Sequence, residues 1–222
     1  MRTKQSTSGT NFQKSLEQFY ALLRNYNLGL SHSQLPQWTK IYTETTAPIY
    51  WEKVAEIINQ YPKSYSIFEI GSGLGDILAL ASFLGFSTVQ GIEQDELLAK
   101  IANEKLLKIL GLNNAISLGK YPVKKIRVEI LLQVNCVYFE GIDNKQDFLK
   151  RMIRFYENSN PKHYLIEVID CSFRETSTVF PDFVRLSEED MQKAFSGLSI
   201  QSFLTYQYPK NTSTKRLYVI SQ

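Results

Sequence analysis

The stretch Ser66-Ile67-Phe68-Glu69-Ile70-Gly71-Ser72-Gly73-Leu74-Gly75-Asp76 constrains this chain more than any other. A short apolar run ends in a carboxylate and then in three glycines at alternate positions. The pattern predicts a strand that stops in a turn without bulky side chains and feeds a helix, so that backbone can approach a nucleotide-like ligand. A glycine turn alone is a weak signal. Here it has a companion, Val89-Gln90-Gly91-Ile92-Glu93-Gln94-Asp95, a second apolar run ending in acid. A carboxylate at Glu93 can accept both hydroxyl hydrogens of a ribose.

From residue 65 onward apolar runs alternate with helical periodicity. The reading places strands at 66–70, 88–92, 115–118, 134–140 and 163–169, and helices at 75–85, 95–110, 123–132 and 144–158. Such repetition predicts a parallel sheet covered by helices on both faces. After a helix at 187–196 the rhythm breaks. Runs at 199–208 and 215–221, joined by a short polar loop, must pair antiparallel. Ahead of the sheet, helices are expected at 12–26 and from Pro48 to about residue 60. The division expected is a disordered tail at 1–10, a helical cap at 11–62 and an α/β domain at 63–222.

With 222 residues, 43% hydrophobic, the chain can bury a full core, and its net charge of +3 implies no polyanionic partner. Cys136 and Cys171 are too few for a disulfide framework or a zinc set and read as buried thiols. The only histidines, His32 and His163, are far apart in sequence, and no metal site is expected. No signal peptide or apolar stretch of membrane-spanning length is read, and a cytoplasmic setting is expected.

The Glu69-x-Gly71-x-Gly73-x-Gly75 turn, Glu93 and the terminal hairpin together resemble class I S-adenosylmethionine-dependent methyltransferases. The resemblance implies a Rossmann-like αβα sandwich with a mostly parallel seven-stranded sheet closed by an antiparallel hairpin. It implies S-adenosyl-L-methionine as cofactor, with Glu69, Gly71, Ser72 and Gly73 at its methionine end, Glu93 at the ribose and Gln94 beside the adenine. A nicotinamide fingerprint fits worse, because its third glycine would fall where Asp76 stands.

Tyr42-Thr43-Glu44-Thr45 further resembles the Y-x-E-T loop of the non-SET lysine methyltransferases (the disruptor-of-telomeric-silencing type), which implies Tyr42 and Thr45 over the cofactor. In that family the fourth strand ends in an Asn. The resemblance sets Val137-Tyr138-Phe139-Glu140 there, with Glu140 in the Asn position, and so implies Glu140 against both acceptor and cofactor. Where the class commonly places an acid after the third strand, this chain has Lys120. A cation cannot accept the adenine amino hydrogen, which leaves backbone or a stacked Tyr121 to hold the ring. Glu140 and Asp170 are the candidate acids to orient or deprotonate an acceptor.

The function expected is methyl transfer to nitrogen or oxygen of a small molecule or a protein side chain, lysine included. The alternative is a catalytically silent scaffold that binds the cofactor. A nucleic-acid partner is not expected, since no Asn/Asp-Pro-Pro-Tyr motif follows the fourth strand.

Overall fold

The two-residue alternation of the strands decides where the two cores lie. On one face of the sheet, Ile67, Ile130, Leu132, Leu165, Leu217 and Val219 meet Leu23, Trp51, Val54, Leu80 and Leu106 from the helices. On the other, Phe68, Leu131, Tyr164, Ile166, Tyr218 and Ile220 meet Phe148, Met152, Phe155 and Met191. Successive residues of one strand thus feed opposite cores, as the pleat requires. The structure, a computed structural model, describes residues 7–30, 35–36, 48–122, 124–172, 180–207 and 214–222.

In chain order the elements are α1 (Thr7–Leu28), α2 (Ile49–Ile58), β1 (Ile67–Ile70), α3 (Asp76–Phe83), β2 (Val89–Glu93), α4 (Glu96–Leu110), β3 (Ile116–Leu118) and β4 (Ile130–Gln133). They continue with α5 (Lys145–Ser159), β5 (His163–Asp170), β6 (Arg185–Leu186), α6 (Glu188–Ala194), β7 (Ser199–Gln207) and β8 (Thr214–Ser221). The sheet order is β3-β2-β1-β4-β5-β8-β7, and β6 is a two-residue strand paired to β5. All pairs are parallel except β5–β8 and β7–β8. This is the expected mostly parallel sheet with its antiparallel hairpin. The unforeseen β6 makes eight strands in place of seven.

The sequence reading fails between β3 and β4. A helix was expected at 123–132 and a strand at 134–140; the strand is Ile130–Gln133, and the described residues between β3 and β4 form no helix. All four β4 residues are buried, because the strand lies between β1 and β5 with both faces covered. A short apolar run of that kind carries no alternation to tell it from a buried helical turn.

The N-terminal boundary also shifts. α1 starts at Thr7, inside the stretch expected to be disordered, and runs to Leu28. Its Leu16, Phe19, Tyr20 and Leu23 enter the same core as α2, α3 and α4. No helix among the described residues is long and apolar enough to cross a membrane.

Candidate active site

β1 stops at Ile70 because Gly71 turns the chain with φ +68°, a region that L side chains rarely occupy. Gly71 N–H and Ser72 N–H both donate to Ile92 O, at 2.9 and 3.1 Å, which ties the turn to the end of β2. A Cβ on Gly71 would lie 2.2 Å from Cys136 Sγ, so the loop after β4 approaches the turn as closely as a glycine allows. Gly75, also left-handed at φ +73°, then hands the chain to α3.

Glu93, the last residue of β2, organises this turn. Its Oε2 accepts from Gly73 N–H at 2.8 Å, and its Oε1 accepts from Gln94 N–H at 2.8 Å and Asp95 N–H at 3.0 Å. Asp95 caps α4 by accepting from Leu98 N–H at 3.0 Å. Gln94 reaches the site through its backbone; its side chain is exposed. The register Glu69↔Gly91 sets the glycine of β2 beside the first acid. A Cβ on Gly91 would meet Ser72 Oγ at 2.2 Å and Glu69 O at 3.1 Å.

Glu69 points into a cavity lined by Tyr50 and Trp51 of α2, by the glycine turn and Asp76, and by Val134 and Asn135 after β4. It is buried, and its Oε2 has no hydrogen-bond partner among the described residues. Burial pushes its carboxyl well above the usual range, and the negative charges of Asp76 and Glu93 push the same way. A hydrogen bond from the Ser72 side chain acts against that rise, but a buried carboxyl oxygen left without a donor is costly to keep unless something else satisfies it.

Three residues that the sequence reading did not single out surround this acid from below. Asp76 Oδ1 accepts from Lys105 Nζ at 2.6 Å. Lys105 also donates to Asn27 Oδ1 at 3.0 Å, and Asn27 Nδ2 lies 3.3 Å from both Asp76 oxygens. No local motif announces such a cluster, since its members come from α1, α3 and α4.

The expected site residues divide. Gly71, Ser72, Gly73, Glu69 and Glu93 come together at the C-terminal end of β1 and β2. Tyr42 and Thr45 lie outside the described residues. Tyr121 is not at the cavity: it is buried in the other core, 5.1 Å edge-on from Phe155 and 5.7 Å from Phe68 between ring centroids. Its hydroxyl donates to Phe155 O and accepts from Asn158 Nδ2, so it is placed as a core residue rather than a ring free to stack on a ligand.

Glu140 is not at the end of the fourth strand. It sits seven residues beyond Gln133, in an exposed turn, paired to Lys120 Nζ at 2.5 Å. That hydrogen bond and the ammonium charge hold its carboxyl below the usual range. With β4 ending at Gln133, the residue that follows the strand closely is Asn135. A correct strand boundary would have found it, because the family resemblance puts an Asn at that point.

Asn135 adopts φ +52°. Its N–H donates to Glu167 Oε2 at 2.9 Å, and its Oδ1 accepts from Lys215 Nζ. Glu167 is buried and also accepts from Thr205 Oγ1 at 2.5 Å. Asn135 is therefore held by β5, β7 and β8 together, facing the turn that follows β1.

Asp170 ends β5. Its Oδ1 accepts from Ser172 N–H at 2.9 Å and Ser172 Oγ at 2.6 Å, and its Oδ2 accepts from Arg216 Nε at 2.8 Å. Burial raises its carboxyl, but these donors outweigh it and leave the group below the usual range. It is held ionised by a guanidinium. The two cysteines, expected as buried thiols, differ: Cys136 is half-buried, with burial pushing its thiol up, whereas Cys171 is exposed after β5. The described residues contain no cluster of three metal-ligating side chains.

No protein-family model matches the chain, and no curated protein matches it. Solved structures do. Magnesium protoporphyrin IX methyltransferase (ChlM) from Synechocystis PCC 6803, crystallised with SAH, superposes with a TM-score of 0.59 at 11% identity over 95% of this chain and 100% of that one. The methyltransferase domain of bacterial CtHen1 matches at 0.57 and 14% identity over 78% and 98% of the two chains. The CcbJ methyltransferase from Streptomyces caelestis matches at 0.58 and 11% identity over 80% and 97%. The chain has the fold of class I S-adenosylmethionine-dependent methyltransferases. At such identities the likeness carries the architecture, and the chemistry rests on the site.

Proposed function

We propose that the protein binds S-adenosyl-L-methionine and transfers its methyl group to a nitrogen or oxygen of a small molecule or a protein side chain. The observation that carries this reading is Glu69 Oε2, a buried acceptor without a donor, aimed into the cavity beside Gly71 and Gly73. The cofactor's amino group is a donor of the right sign for that atom. Glu93 stands at the end of the neighbouring strand, where a ribose would lie. Glu140, paired with Lys120, brings a carboxylate to the point after β3 where Lys120 stands in place of the usual acid.

The bound cofactor would supply a sulfonium methyl already activated as a leaving group. The chain's own residues then have three tasks: hold the cofactor, exclude water and place the acceptor in line. Tyr50 and Trp51, both buried, wall the cavity against solvent. Asn135, fixed by Glu167 and Lys215, is the residue suited to orient an acceptor, and lysine-type amines are the protein acceptors to try first. Glu140 is exposed and tied to Lys120, and Asp170 is tied to Arg216, so neither is suited to act as a base.

That last point favours a second reading, a cofactor-binding scaffold without turnover. Calorimetry with S-adenosylmethionine, followed by transfer of labelled methyl to amine and hydroxyl acceptors, separates the two. Binding that Glu93→Ala abolishes, with label appearing in an acceptor, is the expected result. Binding without label in any acceptor favours the scaffold, and no binding at all sinks both.

A further inference from the structure

Lys105 is the one buried cation among the described residues, and it lies beside a site that holds three buried carboxyls, Glu69, Asp76 and Glu93, of which Glu93 is satisfied by backbone N–H groups. Its placement is unequal between the other two. Lys105 Nζ is 2.6 Å from Asp76 Oδ1 and 3.0 Å from Asn27 Oδ1, while Glu69 Oε2 has no partner. Asn27, fully buried on α1, locks this choice by reaching both oxygens of Asp76. The charges close around Asp76 and leave Glu69 over.

We infer that the Asn27–Asp76–Lys105 cluster is a positioning device: it commits the buried cation to Asp76, so that Glu69 is reserved for the amino group of the cofactor, which displaces one proton from it on binding. This rests on the cofactor reading above. The step balances simply. A protonated Glu69 and a ligand ammonium become a carboxylate–ammonium pair, and one proton leaves to solvent.

The groups that face Glu69 agree. Asp76 at the start of α3 and Glu93 at the end of β2 are both acids, the Cys136 thiol after β4 is neutral, and Tyr50 of α2 brings a phenol. Two groups favour ionisation of Glu69, the charge of Lys105 from α4 and a hydrogen bond from the Ser72 hydroxyl in the glycine turn; the lysine charge is already answered by Asp76 at 2.6 Å, and the hydroxyl brings no charge. Burying the carboxylate without a cation is unfavourable, and the ligand supplies the cation.

The test is calorimetry with S-adenosylhomocysteine, which keeps the amino group, in two buffers of different ionisation enthalpy between pH 5 and 7. Wild type is expected to release about one proton per ligand, with affinity rising up to about tenfold per pH unit. In Asp76→Asn, Lys105 is freed to neutralise Glu69, so release should vanish and the affinity should flatten with pH. In the double variant Asp76→Asn/Lys105→Met the cation is gone again and the proton release should return. Removing a buried pair together is the better tolerated change, which guards against loss of fold. A purely structural cluster would not restore proton release. Binding to wild type without proton release, or equal release from Asp76→Asn, overturns this inference alone; no binding to wild type overturns the cofactor reading with it.

Discussion

Glu69 is a liability to the folded protein in proportion to pH. Its carboxyl is raised by burial and by Asp76 and Glu93, so the native state holds its proton more tightly than the unfolded chain does. The contribution to stability is therefore best below about pH 4, the unfolded value, and falls as pH rises toward the native one. Glu69→Gln removes that slope. Urea denaturation at pH 5 and pH 8 should show the variant gaining on wild type, with the larger gain at the higher pH; equal differences at the two pH values would contradict the assignment. Gly91 makes a different demand. Its backbone is ordinary, but a methyl there would press on Ser72 Oγ and on the Glu69 carbonyl, which cannot swing away as a side-chain end can. Gly91→Ala should cost about 1–3 kcal/mol and weaken cofactor binding further by moving the turn. The Glu69 and Gly91 pattern was legible because both sit in runs where local sequence dictates conformation. Lys105 and Asn27 were not, because what gives them meaning is contact across 29 and 49 positions with Asp76.

Helices and strands repeat that lesson at longer reach. β1, β2 and β5 were legible where an apolar run meets glycine or acid at its end. β4 was not: Ile130-Leu131-Leu132-Gln133 sits in the middle of the sheet, buried on both faces, and its neighbours Lys124, Lys125 and Arg127 are exposed coil that mimics a polar helix face. The consequence reached the site, since misplacing one strand exchanged Asn135 for Glu140. α1 makes a prediction of its own. It carries Leu23 at zero exposure into the core below the glycine turn, and Asn27 onto Asp76. Leu23→Ala should cost about 2–5 kcal/mol, read as a lower denaturation midpoint with an unchanged slope. A surface change on the same helix, Leu22→Ala, should cost little, because Leu22 is 48% exposed. Equal costs would mean that α1 does not dock as described.

The molecule as a body gathers its chemistry at one end. The strands β1, β2, β4 and β5 run parallel, so Glu69, Glu93, Asn135 and Asp170 all fall at or just beyond their C-terminal ends, the edge where open α/β sheets take their ligands. The hairpin β7–β8 closes the same edge through Lys215 on Asn135 and Arg216 on Asp170, so the last strand helps to fix that edge while its Leu217 and Tyr218 fill the two cores. Binding and folding are thereby linked. A ligand that engages only this folded edge must stabilise the native state, by about 2.7 kcal/mol at a hundredfold excess over its dissociation constant, and so raise the unfolding temperature. For a chain of this size that corresponds to about 5–10 °C. Thermal unfolding followed by circular dichroism should show that rise with S-adenosylhomocysteine. Glu93→Ala, which removes the acceptor for Gly73, Gln94 and Asp95 N–H, should unfold earlier and show no rise at all. Adenosine alone should raise the midpoint less than the full ligand, because it leaves Glu69 without its donor. An equal rise from adenosine would place the binding energy at Glu93 and strip Glu69 of its role.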